Sequence, residues 1–414
     1  MKIRKILRTL GPGLITGASD DDPSGIATYS QAGAKYGFAL LWTMPLIYPM
    51  LVAIQEVSAR IGRVTGKGLS GNIREHYSKS AALVFILLLV VANTINIGAD
   101  IGAIGEALTL LGSGHPRVFS FIITVVSCIL IIFIPYKKYV KILRILTLSL
   151  FSYIAVVFIV NVDWLDALHS VIIPHITLST EYLTMIIAVL GTTISPYLFF
   201  WQASEEAEEE EDNPKAKPLI IAPRQAKSEF HRINIDTSVG MAFSNIVAFF
   251  IMLATASTLH KSGITNIESA GQAALALEPL AGKQASLLFA FGILGTGLLA
   301  LPVLAGSCAY AIGELFHFPV GLEKKPKEAK VFYFVIIAIL GVGFLLNFIG
   351  INPMAALYYA AIANGILAVP IMFMMMIMSR NTKIMGQFTI SKPIKVLGWL
   401  ATIIMLLAAL GSLL

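Results

Sequence analysis

The stretch SDDDPSGIATYSQ, residues 19–31, decides how this chain must fold. It places three aspartates, a proline and a glycine between two apolar segments, residues 10–18 and 26–37. Neither segment alone reaches the about 20 apolar residues that a bilayer-spanning helix needs. Together they do, and the three aspartates then lie near the middle of the membrane. A carboxylate at that depth costs at least ~2.5 kcal/mol, which indicates a functional position.

The composition predicts an all-α polytopic membrane protein. Of 414 residues, 57% are hydrophobic and only 13% are charged, whereas soluble domains carry about 25% charged residues. The two cysteines, Cys128 and Cys308, lie in apolar stretches and are expected to be buried thiols without a disulfide framework.

The apolar runs predict eleven membrane-spanning helices. Their expected bounds are 10–36, 38–59, 81–111, 116–135, 142–161, 181–202, 234–259, 285–313, 331–349, 353–378 and 394–413. The first and sixth are interrupted, so each opens a set of five helices. We expect one transmembrane transporter domain over 1–414, with repeat one at about 10–161, repeat two at about 181–378, and an extra helix at about 394–413.

The basic residues predict the orientation. With a cytoplasmic N-terminus, all but four of the 30 basic residues fall on the cytoplasmic side, as the positive-inside rule requires. An odd number of spans then places the C-terminus outside. The net charge of +6 therefore orients the protein in its lipid bilayer and does not indicate nucleic acid. Short loops favour a prokaryotic plasma (inner) membrane, and no obligate protein partner is inferred.

The segment EEAEEEEDNPKAKP, residues 205–218, follows the sixth span and carries seven acids. Like charges at this density repel one another and stay solvated. We therefore expect residues 203–230 to form a disordered acidic loop in the cytoplasm. The alternative is a loop that collects or senses cations.

The sixth predicted span is interrupted by LGTTISPYLFF, residues 190–200. Proline removes a backbone donor and frees a carbonyl one turn back. In lipid, such backbone is tolerated only where it is buried in protein or lines a cavity. Interruptions at corresponding places in two halves point to a transporter's binding site. The alternative is a pair of ordinary proline kinks.

This pattern predicts a cation site between the two interruptions. Asp22, directly before Pro23, is placed to hold the cation, and freed carbonyls and half-helix ends supply further oxygens. The other candidate site residues at the breaks are Ser24, Gly25, Thr192, Thr193, Ser195 and Tyr197. Asp20 and Asp21 are expected to line an entry path or to be protonated, because crowded carboxylates cannot all ionise.

Several motifs in order resemble the Nramp family of divalent-metal transporters. They are GPG at 11–13, QEVSARIGRVTGKGLSGNIRE at 55–75 and LAGSCAYAIGELF at 304–316. The resemblance covers most of the chain. It implies a LeuT-like fold, an inverted 5+5 helix repeat plus an eleventh helix, with a transported metal at the breaks in helices 1 and 6 and no cofactor.

The chain departs from the family at the metal ligands. The family's Asp-Pro-Gly-Asn motif here ends in Gly25, and its Met-Pro-His motif begins with Ser195 and ends with Tyr197. Thioether and imidazole suit softer metals, whereas oxygen donors suit Mg²⁺, Ca²⁺ or Mn²⁺. The smaller residues also leave room for Mg²⁺, which keeps several of its waters. The pattern resembles the Nramp-related magnesium transporters, and Mn²⁺ is expected to pass too. Tyr197 either closes the cavity or simply packs.

The proton route of the family is only partly retained. Of its helix 3 acids the chain keeps Asp100, while Ala103 stands at the glutamate position. The resemblance to the magnesium branch therefore implies transport that is not coupled to protons. Asp100, Asn96 and Asn364 are candidates for lining the cavity or ion path.

Three other functions stay open at the level of sequence. One is a proton-coupled Mn²⁺/Fe²⁺ symporter of the ordinary Nramp type. Another is a cation-coupled symporter of an organic solute, since LeuT-like folds also carry amino acids; the three aspartates argue against an anionic solute. An intramembrane enzyme is disfavoured, because Asp22 and Asp100 lack a recognisable protease motif.

Overall fold

Proline among small polar residues interrupts helices of this protein. Its computed structural model describes residues 11–135, 138 and 148–413. Regular structure in these ranges is helical, with no β-strand. The longer helices are α1 Pro12–Asp20, α2 Pro23–Tyr36, α3 Thr43–Thr65, α4 Leu69–His76, α5 Lys79–Thr109, α6 Pro116–Phe133, α7 Phe151–Val157, α8 Trp164–Ile172, α9 Thr180–Thr193, α10 Pro196–Asp212, α11 Ala226–Thr255, α12 Ala285–Phe316, α13 Lys330–Leu346, α14 Pro353–Met378 and α15 Lys392–Leu413.

Seven of the predicted spans, the third, fourth, sixth, seventh, eighth, tenth and eleventh, coincide with helical segments of the structure. Seven of the described helical segments are long and apolar enough to cross a bilayer, and α2 with α3 forms a further candidate pair, bent by 111°. The ninth predicted span is the 17-residue helix α13. The fifth, 142–161, begins outside the described residues, and its described part contains the short helix α7.

Both expected interruptions are present. The helix α1 ends at Asp20, and α2 begins at Pro23 after two non-helical residues. The helix α9 ends at Thr193, and α10 begins at Pro196. Proline suits both starts because the first helical residue needs no backbone N–H partner and its φ is already set.

The expectation that residues 203–230 form a disordered loop is wrong. Helix α10 continues through the acidic run to Asp212, and α11 begins at residue 226. The reason is pairing with arginines from other elements. Glu206, which is fully buried, binds Arg232, and Glu210 binds Arg63 at 2.7 Å. A buried acid is tolerated where a counter-charge and hydrogen bonds compensate its lost hydration.

The broken helices lie within a shell formed by α5, α11, α12 and α14. We call the face where α1 begins the α1 side, and the opposite face, where α2 ends, the α2 side. On the α1 side, Asp236 of α11 accepts hydrogen bonds from the Gly11 and Gly13 backbone N–H groups at 2.8 and 2.7 Å. The helices α1 and α11 are in close contact, since a Cβ on Gly17 would lie only 2.1 Å from the Gly240 carbonyl oxygen. The two backbones meet without intervening side chains.

Candidate functional site

Asp22 lies at the centre of the first break. It caps α2, with its Oδ1 accepting from the Gly25 backbone N–H at 2.7 Å. Its Oδ2 accepts from Asn96 Nδ2 on α5 at 2.9 Å. The side chain is almost fully buried. These donors fix the carboxylate in one orientation and leave further lone pairs on both oxygens for a ligand.

Gly25 lies at the seam between the two breaks. A Cβ on this residue would lie 3.2 Å from the Asp20 carbonyl oxygen and 3.4 Å from Thr192 Oγ1. The end of α1 and the end of α9 therefore approach each other across the side of Gly25. The Asp20 carbonyl oxygen and the Thr192 hydroxyl oxygen therefore face this seam from its two sides.

The second break supplies hydroxyl groups without formal charge. Ser195 Oγ lies 2.8 Å from the Gly191 carbonyl oxygen and 3.0 Å from that of Thr192, to which it donates. Thr193 Oγ1 is hydrogen-bonded to Tyr29 OH of α2 at 2.9 Å. These hydroxyls stabilise the end of α9, and their remaining lone pairs are available to a cation.

Two cross-links join the breaks to the surrounding helices. Tyr197 OH donates to the Ser19 carbonyl oxygen at 3.1 Å and so ties α10 to α1. Ser24 Oγ donates to the Leu357 carbonyl oxygen of α14 at 3.1 Å. On the same helix, Asn364 is buried and its Oδ1 has no hydrogen-bond partner. Tyr197 therefore fastens two half-helices rather than only filling space.

The polar face of α5 is divided between two contacts. Asn96 reaches Asp22, whereas Asn93 donates to the Leu304 carbonyl oxygen of α12 at 2.8 Å. Asp100 is fully buried, and neither of its carboxylate oxygens has a hydrogen-bond partner. It lies one helical turn beyond Asn96, whose side chain reaches Asp22. Asp100 is thus a second buried acid beside the break.

Asp20 and Asp21 turn away from Asp22, towards α11. Ser244 Oγ of that helix donates to Asp20 Oδ2 at 2.5 Å and lies 3.5 Å from Asp21 Oδ1. Both aspartates are fully buried. The structure therefore gives the three consecutive acids two different environments.

The donors at the breaks are oxygens. Among the described residues, no three His, Cys, Asp or Glu side chains are grouped in the geometry of a metal site. Cys308 is buried against Asn93 as expected, whereas Cys128, also expected to be buried, is only half-buried. A cation at the breaks would therefore rely on one or two carboxylates, hydroxyls, main-chain carbonyls and its own water.

A hydrogen-bond network lies on the α1 side of the breaks, and a cavity lies on the α2 side. Thr16 Oγ1 donates to Gln202 Oε1 at 2.7 Å, and Gln55 Nε2 donates to the same oxygen at 3.2 Å. On the α2 side, a cavity of about 480 Å³ reaches Ala27 and Gln31, on the face of α2 beyond Gly25. The two sides of the breaks therefore differ: buried amide and hydroxyl side chains are linked on one, and an open cavity lies on the other.

Sequence reasoning missed Ser244, Tyr29 and Gln202. Each was detectable as a polar residue within a predicted span, where polar groups are costly and commonly functional. Their partners were not detectable, because those depend on which helices pack together.

Comparisons with known proteins define the class first. The crystal structure of the Eremococcus coleocola manganese transporter with an aromatic bis-isothiourea compound matches with a TM-score of 0.78 at 18% identity, over 98% of this chain and 86% of that one. Mhp1, a nucleobase-cation-symport-1 family transporter, matches in its closed conformation with a TM-score of 0.61 at 14% identity, over 97% and 92%. The protein is therefore a multi-pass integral membrane protein with the LeuT-like transporter fold, as predicted.

The family follows from the sequence comparisons. A family model described as "Natural resistance-associated macrophage protein-like" (Nramp) matches residues 13–414. The chain is also 26% identical over 323 residues to the divalent metal cation transporter MntH of Erwinia tasmaniensis, a match that spans 76% of this chain and 75% of that protein. The chain belongs to the Nramp family.

Proposed function

We propose that this divalent-metal transporter of the Nramp family carries Mg²⁺, and Mn²⁺ as well, by alternating access without proton coupling. The observation that supports the proposal is the set of oxygen atoms around Gly25: Asp22 Oδ1 accepts from its backbone N–H, and the Asp20 carbonyl oxygen and Thr192 Oγ1 lie beside it. Mg²⁺ gives up its water reluctantly and is commonly held by one or two carboxylates. A site made of oxygen donors suits such a partly hydrated ion.

The chemistry of the second break supports the same ion. Ser195 and the nearby threonines offer hydroxyl and carbonyl oxygens, and neither thioether nor imidazole is present at the Ser195–Tyr197 motif. Sulfur and nitrogen donors favour transition metals over Mg²⁺, so their absence from this motif removes that preference. Mn²⁺ also binds oxygen ligands, and nothing in the motif rejects it.

The proposed lack of coupling rests on the surroundings of Asp100. Among the described residues, neither oxygen of Asp100 has a hydrogen-bond partner, so no hydrogen-bonded side chain connects it to a relay. The membrane potential supplies an alternative driving force, since it contributes about 2.3 kcal/mol per elementary charge at 100 mV. A divalent ion moving to a negative interior gains twice that amount.

We further propose that the protein lies in the plasma membrane with the α1 side facing the cytoplasm. The distribution of basic residues supports this orientation. The cavity that reaches Ala27 and Gln31 then opens outside, and the Thr16–Gln202–Gln55 network closes the inner path. In this arrangement the ion enters from outside along α2 and leaves past α1.

The runner-up is proton-coupled Mn²⁺ transport, which the retained Asp100 favours. Its buried, unpartnered carboxylate is a position where a proton would be stable. The two functions differ in whether the interior acidifies as metal enters.

The test is ion uptake into proteoliposomes that contain both a magnesium dye and a pH dye, under a potassium-diffusion potential. We expect Mg²⁺ entry without acidification, abolished in Asp22→Ala. Asp163→Ala is the matched control, because Asp163 is an exposed acid that caps the remote helix α8. Entry of Mn²⁺ with protons, and none of Mg²⁺, would establish the runner-up.

A further inference from the structure

Two of the three aspartates at the first break have no role in the site just proposed. Asp20 and Asp21 are both fully buried, and Ser244 Oγ lies between them, 2.5 Å from Asp20 Oδ2 and 3.5 Å from Asp21 Oδ1. The other oxygen of each carboxylate, Asp20 Oδ1 and Asp21 Oδ2, has no hydrogen-bond partner. Two acceptor atoms are thus left unused beside a single shared hydroxyl.

The surroundings of this pair supply no positive charge. Among the described residues, no Lys, Arg or His forms an ion pair or a hydrogen bond with Asp20 or Asp21. Helix α1 ends at Asp20, so the negative end of its dipole and its last free carbonyls lie here too. Elsewhere in the protein, the buried acid Glu206 has an arginine partner. Burying two carboxylates without compensation is very costly.

We infer that Asp20, Asp21 and Ser244 form a second binding position for a divalent cation, on the α1 side of Asp22. The inference rests on the proposed function, because it assigns the same cargo to both positions. Two carboxylates balance the charge of one divalent ion, and the Ser244 oxygen adds a neutral donor. Under the proposed orientation, an ion that leaves Asp22 meets this position before it reaches the closed network at Gln202.

The first test is a count of bound ions in the purified full-length protein. Mn²⁺ is the probe, measured by equilibrium dialysis and by electron paramagnetic resonance. We expect two Mn²⁺ per chain in the wild type, with spectra broadened by spin coupling because the two positions are formed by neighbouring residues. A wild type that binds one Mn²⁺ with an unbroadened spectrum would overturn the inference without any variant.

Variants then assign the two ions. The double variant Asp20→Asn/Asp21→Asn should bind one Mn²⁺ and lose the broadening, while Asp163→Asn keeps two. Asp22→Asn should also lose one ion. If the wild type binds one ion and Asp22→Asn loses it, the second position is refuted and the proposed function stands. If Asp22→Asn retains every ion, the proposed function itself fails.

Ser244→Ala covers the case in which the double variant does not fold. It removes one hydroxyl and leaves every carboxylate in place. We expect the affinity for the second Mn²⁺ to fall about three- to tenfold, the range for the loss of one uncharged ligand oxygen. The affinity for the first Mn²⁺ should be unchanged. Equal affinity for both ions in this variant and in the wild type would contradict the assignment of Ser244.

Discussion

The break between α1 and α2 carries three aspartates, whereas the polar side chains at the break between α9 and α10 are all hydroxyls. Both breaks begin their second half-helix with proline, and both place oxygen atoms beside Gly25. The two breaks therefore have similar backbone geometry, but only the first carries charged side chains. A site built in this way attracts the cation with one half and completes its coordination with the other.

The two breaks also differ in how they are held. Asp22 receives one hydrogen bond from the nearby Gly25 N–H and one from Asn96 of another helix. Ser195, in contrast, donates to carbonyls of the preceding helix α9. The orientation of the Asp22 carboxylate therefore depends on a distant helix, whereas the Ser195 hydroxyl is held by local contacts.

The largest expected effect comes from removing charge at the first break. Asp22→Asn keeps an oxygen to cap α2 and removes the negative charge. We expect Mg²⁺ uptake to fall at least ~100-fold, because a charge pair about 4 Å apart is worth about 4 kcal/mol at an effective dielectric constant of 20. The measurement is initial uptake rate in proteoliposomes.

Ser195→Ala is the matched change at the neutral break. We expect less than a tenfold loss, because one neutral oxygen contributes about 1 kcal/mol. Equal losses in the two variants would show that the breaks share the charge of the ion more evenly than their residues suggest.

The next effect in size tests the room beside Asp22. Gly25→Asn places an amide side chain between the ends of α1 and α9, where a Cβ alone would lie 3.2 Å from the Asp20 carbonyl oxygen. We expect Mg²⁺ uptake to fall about tenfold relative to Mn²⁺, because Mg²⁺ loses water least readily. Competition between the two ions in the same vesicles gives the ratio directly.

The control for this change is Gly112→Asn, at a turn where nothing lies within 4 Å of an added Cβ. It should leave the ratio of Mg²⁺ to Mn²⁺ uptake unchanged. If Gly25→Asn also leaves the ratio unchanged, hydration does not select the ion at this site.

Much of the first break could be predicted from sequence, since Asp22 before Pro23 specifies both a helix cap and a proline start. The second break followed from Pro196 within an apolar run. Both sequence signals are local, because the segments that interrupt the helices also contain the candidate oxygen ligands. The pairing of Asp22 with Asn96 was not local, although both residues were candidates.

The structure corrected the sequence where partners come from distant segments. The acidic run after residue 204 looked solvated because its arginines, Arg63 and Arg232, belong to other helices. Likewise, Ser244 meets Asp20 only because α1 packs closely on α11, where Gly17 and Gly240 touch. A sequence pattern along one helix does not indicate which other helix packs against it.

The smallest expected effect concerns the hydrogen bonds that join the two breaks. Tyr197→Phe removes the donor to the Ser19 carbonyl oxygen, and Tyr29→Phe removes the contact with Thr193. A neutral hydrogen bond contributes about 1 kcal/mol, so each variant should slow Mg²⁺ uptake by roughly two- to fivefold. Dissociation constants for Mn²⁺ should stay close to wild type, since neither hydroxyl is assigned to the ion. A selective loss of Mn²⁺ affinity in Tyr197→Phe would instead show that the Tyr197 hydroxyl is a ligand of the ion. The second break would then bind the ion through a side chain whose contact in the structure joins α10 to α1.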